Sequence, residues 1–300
     1  MTNTTPDTLP QLSVIIPCRD RKATIEQAVH SVLSQDYNVH EVIVVDDGSR
    51  DGTLDVLAAM TDPRVVVLHN RGANGASGAR NFGVRHARGI WIAFQDSDDV
   101  WLPGRLSRQM GRLIESNYVA GFCGMLVKAD TDPDSPVIDR VPDRAMGPLP
   151  ENILPALLRG SFVSTQMLIM RRAVLDAVGG FDESFPALVD WELMLRVAQQ
   201  GAVDFLDEDL VVQRMSDNSI TKSVENRVLA QRLVIRKHKD LFDCDPEAYG
   251  LHHRRISGGQ RALGNYRDAA RHALKALRVQ PSSPAHVVSL LRALARGWLG

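Results

Sequence analysis

The chain is poor in cysteine and in aromatic residues, with three Cys and 5% Phe, Trp and Tyr among 300 residues. Cys18, Cys123 and Cys244 cannot pair completely and none stands in a CxxC spacing. That speaks against a disulfide framework or a structural zinc site and for a reducing, cytoplasmic setting. No apolar run approaches the ~18 residues that cross a bilayer; stretches such as Val42 to Val45 are strand-sized. The first residues carry neither a basic segment nor an apolar core, so no secretory signal is expected. A formal net charge of −1 leaves no overall excess to attract nucleic acid. The balance is local, however. Residues 251–300 hold nine Arg/Lys against Asp268 alone, a net of +8, whereas 1–250 carry −9. Such a split suggests two parts with different tasks, one over 10–222 and a helical extension over 223–300 that is basic after 250. Hydrophobic residues at 44% and charged ones at 24% are ordinary for a globular chain.

What is present in the first part is an alternation of short apolar runs with amphipathic stretches. Leu12 to Ile16, Glu41 to Val45, Val65 to Leu68 and Trp91 to Phe94 read as strands. Residues 22–35, 53–60 and 79–87 read as helices between them. Strands that are apolar throughout, separated by helices, predict a mostly parallel sheet covered on both faces. In such sheets ligands bind beyond the carboxyl ends of strands, and polar clusters follow Ile16, Val45 and Phe94. Residues 128–151 are rich in Asp and Pro and predict an exposed excursion. Apolar segments at Phe162 to Met170 and Val203 to Val212 predict further strands, with a helix from Trp191 to Gln200 between them. From Val224 onward the pattern is helical.

Four clusters carry chemistry. Asp96-Ser97-Asp98-Asp99 leaves a strand and is fixed to the core by Trp91 to Phe94 before it and Trp101-Leu-Pro103 after it. Three carboxylates packed together repel one another unless a cation neutralises them, and i, i+2 carboxylates at a strand exit converge on a hard divalent ion. Asp46-Asp47-Gly48-Ser49 makes the same kind of exit; a carboxylate held there accepts the N–H of a base or the hydroxyls of a ribose. Asp51-Gly52-Thr53, which follows, reads as turn and helix-start chemistry. The loop from Arg71 to Asn81 is spaced GxxGxxG rather than GxGxxG, a weak dinucleotide signal, but Arg80 there offers a planar cation to phosphate. The fourth cluster, Gly179-Gly-Phe-Asp-Glu183 with Asp190-Trp-Glu-Leu193, supplies in Asp190 either a helix cap or a general base.

The matching stretches, in order, are Leu12 to Pro17, Val44 to Thr53, Asn74-Gly75 with Ala79-Arg80-Asn81, Gln95 to Pro103, and Gly179 to Glu183 with Asp190 to Leu193. Together they resemble the inverting family 2 glycosyltransferases of the GT-A fold over about residues 10–221. The resemblance implies an α/β, Rossmann-like, mostly parallel sheet with helices on both faces. It also implies a nucleotide-sugar donor, with a UDP-sugar favoured, and a hydroxyl acceptor, for which a lipid-linked sugar is one candidate, in cell-surface polysaccharide or glycolipid assembly. By position, Asp47 matches the carboxylate that recognises the base, with Asp46 its neighbour and Pro17 and Arg19 beside the nucleotide. Asp96, Asp98 and Asp99 match the DxD region, with Asp98 and Asp99 toward Mg²⁺ or Mn²⁺, and Asp190 matches the catalytic base. Met215 stands where the family often has His; Arg214 beside it, and Glu192, are candidates for contact with the diphosphate or the acceptor. A sugar nucleotidyltransferase shares the sheet but needs a GxGTR-type loop that is missing. A non-catalytic nucleotide-sugar binder would keep every binding motif, and the presence of Asp190 weighs against it.

In the basic tail, apolar positions from Ala262 to Leu277 predict one amphipathic helix, and Val287 to Trp298 a second after Pro281 and Pro284. These either pack as a helical hairpin or lie on an anionic membrane surface, where Trp298 suits the interface.

Overall fold

The computed structural model describes residues 10–70, 75–215 and 223–297. The chain begins with β1 (Leu12–Cys18), α1 (Ile25–Leu33), β2 (Glu41–Asp46), α2 (Thr53–Ala58), β3 (Val65–His69), α3 (Gly75–His86) and β4 (Trp91–Phe94). It continues through β5 (Val100–Trp101), α4 (Arg105–Ile114), β6 (Ala120–Lys128), β7 (Val137–Val141), α5 (Leu154–Leu157), β8 (Leu168–Arg171), α6 (Arg172–Ala177), α7 (Val189–Val197) and β9 (Val203–Arg214). Five helices end it: α8 (Val224–Lys237), α9 (Lys239–Asp243), α10 (Pro246–Ala262), α11 (Tyr266–Val279) and α12 (Pro284–Gly297).

The strands form one nine-stranded sheet in the order β3-β2-β1-β4-β8-β6-β9-β5, with β7 added on β6. β3, β2, β1 and β4 are parallel, as continuous apolar strands predict. Every residue of β1, β2 and β4 is buried. Beyond β4 the sheet is mixed: β8 is antiparallel to both β4 and β6, while β9 runs parallel to β6 and antiparallel to β5. Close packing of helix on sheet is visible at Gly83 of α3, where a Cβ would stand 2.6 Å from the Ile15 Cγ2 of β1.

Three expectations are refined. β6 was not foreseen, because Gly121 and Gly124 interrupt its apolar run. The stretch Phe162 to Met170 is a strand only from Leu168; Thr165–Met167 form a 3₁₀ turn that places Gln166 inside the protein. The excursion at 128–151 folds back as β7, whose Val137 and Ile138 are exposed.

By internal contacts the chain divides into two units. The first holds the sheet and comprises 1–153, 162–183 and 193–217. The second gathers 154–161 and 184–192 with residues 218–300. Within this second unit α10 packs on α8 and α11, and α11 packs on α12. The single helix expected across Ala262 to Leu277 is instead broken at Gly264, whose φ of +77° ends α10 and lets α11 begin. Among the described residues no helix is long and apolar enough to cross a membrane.

A buried anchor holds the amino ends of the central strands. The Glu41 carboxylate on β2 accepts from the Ser13 hydroxyl on β1 at 2.6 Å, and from Arg88 through its backbone N–H at 2.6 Å and its Nε at 3.0 Å. Burial pushes the Glu41 pKa up, but these bonds outweigh it and leave the pKa below the usual glutamate value. Glu41→Gln is expected to cost about 1–3 kcal/mol, the scale for charge-assisted bonds in a buried place. Because the folded pKa is depressed, this stabilisation is present above the ordinary glutamate pKa and is lost as pH falls through the depressed value. Denaturant titrations should therefore show the gap between wild type and variant at neutral pH and its narrowing in acid.

Candidate active site

The loops that leave β1 and β2 are laced to each other. The Asp20 N–H donates to the Ser49 hydroxyl at 2.9 Å, and the Arg50 N–H to the Asp20 carboxylate at 2.7 Å. Asp20 holds a φ of +52° to make these bonds. Asp51 accepts from the Lys22 and Thr53 N–H groups, and these bonds, led by that of the Thr53 hydroxyl, bring its pKa down to about 2. The residues read as turn chemistry are turn chemistry.

The adjacent carboxylates differ in their surroundings. Asp46 is buried, and its oxygens accept the N–H groups of Gly48 and Ser49 at 3.2 Å each. Asp47 is half-buried; its backbone N–H donates to the Cys18 carbonyl at 2.9 Å, while its carboxylate has no hydrogen-bond partner among the described residues. Burial raises its pKa, Arg19 opposes that, and Asp46 adds to it. Pro17 is buried at the end of β1, and the Arg19 side chain is exposed.

Past β4 the three carboxylates also part company. Asp99 is 2% exposed, with one oxygen accepting the Arg214 N–H at 3.0 Å and the other the Gln166 amide at 2.9 Å. Burial, then Asp96 and Asp98, push its pKa well up. Asp96 is paired with Arg80 of α3, a buried guanidinium that also lies 5.5 Å from the centre of the Phe181 ring. Arg80 is thus joined to Asp96 and to the Phe181 ring. Asp98 is partly exposed; the Arg21 Nη2 is 3.4 Å from it, and burial and then Asp96 raise its pKa. Arg214 gives its N–H to Asp99 and its guanidinium to Asp130.

The double glycine has a physical reason. Asn81 of α3 donates from its amide to the Phe181 carbonyl at 2.9 Å and accepts the Phe181 N–H at 2.9 Å. A Cβ on Gly180, whose φ is +70°, would stand 2.6 Å from the Asn81 Oδ1. Only glycine permits both the turn and that approach.

Asp190 and Glu192 belong to the second unit. α7 starts at Val189, so Asp190 lies in its first turn, where its carboxylate accepts the Trp191 N–H at 2.8 Å. Leu188, just before it, has a φ of +58°, a conformation costing a non-glycine residue about 1–3 kcal/mol and typical of constrained functional segments. Glu192 is 1% exposed, with its carboxylate 2.8 Å from the Lys237 Nζ and 3.1 Å from the His238 Nε2. That is an internal anchor of the helical unit.

Sequence reasoning missed Gln166, Arg21 and Asp130. A lone Gln within an apolar stretch was the one available sign for Gln166; nothing marked Arg21 or Asp130. Among the described residues no three His, Cys, Asp or Glu side chains form a ready metal cage. Mg²⁺ sites of the kind that use one or two carboxylates with substrate phosphates do not require one, and the oxygens of Asp98 suit a hard cation. Asn74 and residues 216–219 lie outside the described residues, as does Trp298.

The two loop carboxylates should separate in stability measurements. Asp46→Ala leaves two N–H groups without their acceptor and is expected to cost about 1–3 kcal/mol. Asp47→Ala removes a partly desolvated charge that accepts nothing and should change stability by no more than about 0.5 kcal/mol. Chemical denaturation of both variants checks the contrast.

Comparison with known proteins agrees with this architecture. The family "Glycosyl transferase family 2" matches residues 13–179. The chain is 39% identical over 106 residues to the Escherichia coli UDP-Glc:alpha-D-GlcNAc-diphosphoundecaprenol beta-1,3-glucosyltransferase WfgD; the match spans 35% of this chain and 42% of that one. Staphylococcus aureus TarS 1–349 superposes with a TM-score of 0.66 at 19% identity, over 90% of this chain and 81% of the other. It has also been solved with UDP and with UDP-GlcNAc. The mannosyltransferase PcManGT of Pyrobaculum calidifontis, in complex with GDP-Man and Mn2+, superposes at 0.61 with 21% identity, covering 98% and 82%. The sheet, the ordered loops at its carboxyl ends and the family match together place this chain among the family 2 glycosyltransferases, with the GT-A fold.

Proposed function

We propose that this glycosyltransferase moves a sugar from a nucleoside-diphosphate sugar, favourably a UDP-sugar, to a hydroxyl of a lipid-linked acceptor, with inversion at the anomeric carbon. The observation that carries the reading is the pair of least engaged carboxylates on these loops, Asp47 after β2 and Asp98 after β4, the latter meeting only Arg21 at 3.4 Å among the described residues. Asp47 accepts from the base, with Pro17 and Arg19 beside the nucleotide; Asp46 holds the loop in shape. Asp96, fixed by Arg80, takes the ribose side. Asp98, with Asp99 behind it, would hold Mg²⁺ or Mn²⁺, which offsets the charge of the departing diphosphate. Asp190 removes the acceptor's proton as its oxygen attacks, on the face opposite the leaving group. One displacement needs one base and no covalent intermediate. Arg214 supports Asp99 through its backbone N–H, and Glu192 anchors the start of the helical unit through Lys237 and His238.

The acceptor class follows from WfgD, which acts on a diphosphoundecaprenol-linked sugar. Polysaccharide or glycolipid assembly at the inner face of a membrane fits it. A surface feature supports attachment there. On α12, His286, Ser289 and Ala293 face inward, leaving Val287, Val288, Leu291 and Leu294 exposed, with Arg292 among them. An exposed apolar row beside Arg292 suits peripheral binding to anionic lipid, where each Lys or Arg contributes about 1 kcal/mol.

Two experiments test these roles. Asp190→Asn should leave UDP binding intact and lower turnover by roughly 10²–10⁴-fold, the usual worth of general-base catalysis, while Asp98→Ala should abolish Mn²⁺-dependent UDP binding. Near-normal turnover in the first variant, or full activity of the wild type in excess EDTA, would remove that residue or the cation from the mechanism. In the second experiment, wild type should co-sediment with anionic vesicles at low salt and Leu291→Ser/Leu294→Ser should not. Equal sedimentation of both would exclude α12 as the anchor.

A further inference from the structure

Within the helical unit, α8, α10 and α11 enclose a cleft of about 300 Å³ that none of the donor-site residues lines. Two histidines meet at it: the Nδ1 atoms of His253 and His272 are 2.7 Å apart. At that distance one ring donates and the other accepts, so a single proton lies between them. His253 is 4% exposed and its Nε2 is buried without a partner. Around the pair stand Arg232, Arg236 and Lys275, against one acid, Asp268. Asp268 is already engaged by Arg232 and lies 3.6 Å from Arg271. The Arg232 Nε is buried and unpartnered. Arg236 and Lys275 are exposed and have no acidic partner among the described residues.

The cleft therefore has three cations for one carboxylate and buried polar groups that no protein atom satisfies. Burial, reinforced by the cations and by each other's proximity, pushes His253 down to about 3; burial and Arg232 bring His272 to about 4. Such a surplus is stable only while water or an anion answers it. A carboxylate would offer two oxygens; guanidinium, ammonium and imidazole groups converging from three helices suit a group with three or more. The volume exceeds that of one phosphate, and the lining Tyr249 and Ile256 leave room for what the phosphate is attached to.

We propose that this cleft is a second anion site, for a phosphate monoester or diphosphate group, formed by the helical unit alone and independent of the donor-site reading. The group comes either from a soluble phosphate compound or from a lipid head group. The full chain, in EDTA so that no metal-held phosphate contributes, is titrated with inorganic pyrophosphate by calorimetry. Wild type should bind it, and Arg236→Gln/Lys275→Gln should weaken binding at least tenfold, since two charge-assisted contacts are lost. Both residues are exposed, so the variant should keep its fold. A far-UV circular dichroism spectrum and melting temperature unchanged from wild type report that directly, and Asp98→Ala, which lies outside the helical unit, should keep pyrophosphate binding. Absence of pyrophosphate binding in the wild type, or equal affinity in the double variant, would overturn the proposal. A preference for vesicles of phosphatidic acid over phosphatidylglycerol that the double variant loses assigns the lipid source. Pyrophosphate binding without such a preference assigns the soluble one.

Discussion

The loop that leaves β4 depends on one buried carboxylate. Asp99 joins three stretches distant in sequence: the exit of β4, the 3₁₀ turn that carries Gln166, and the end of β9 at Arg214. A buried acid without donors would cost several kcal/mol. The two bonds it accepts therefore oblige the Gln166 turn and the β9 terminus to stay where they are. The Gln95 amide closes the same turn by donating to the Asp99 carbonyl at 2.7 Å. With Asp99 fixed, Asp96 and Asp98 are carried on a loop that has little freedom left.

The acids at the strand ends divide by what the surrounding backbone supplies. Asp46, Asp51 and Asp99 receive N–H donors and shape the loops; Asp96 receives Arg80. Asp47 and Asp98 receive less, and both have pKa values raised by burial. Asp96 and Asp98 are each answered by a guanidinium, Arg80 and Arg21, rather than by backbone donors. The same residue type thus shapes a loop through N–H bonds at one position and meets a cationic side chain at the next. Arg80 and Arg214 follow the same pattern, since each is paired within the protein.

The helical unit is organised by different means. Trp191 donates its Nε1–H to the Leu157 carbonyl at 2.7 Å and lies 4.9 Å from the His252 ring. Glu192 joins Lys237 and His238 beside it. These contacts place the segment bearing Asp190 in a packed setting, entered through the left-handed Leu188. The small residues Ala269, Ala273 and Ala276 form the inward stripe of α11, all fully buried. Close approach of helices follows from them, and the charged residues are left to the outer faces and to the cleft.

Much of this was legible in the sequence. Continuous apolar runs specified the parallel half of the sheet, because strands buried on both faces have no polar side to alternate with. The acidic clusters at 46–47 and 96–99 were legible as strand exits, and they do follow β2 and β4. Their pairing was not legible. Nothing local distinguishes Asp98 from Asp99, since which of them is answered depends on Gln166 and Arg214, 67 and 115 residues away. β6 was obscured by its own glycines, and the break between α10 and α11 by an apolar spacing that continues across it. The fates of Glu192, Arg80 and the paired histidines are likewise set by partners from other elements. Periodicity and turn chemistry are local and survive in one dimension. Hydrogen-bond satisfaction and charge compensation are properties of three-dimensional neighbourhoods, and only the tertiary structure decides them.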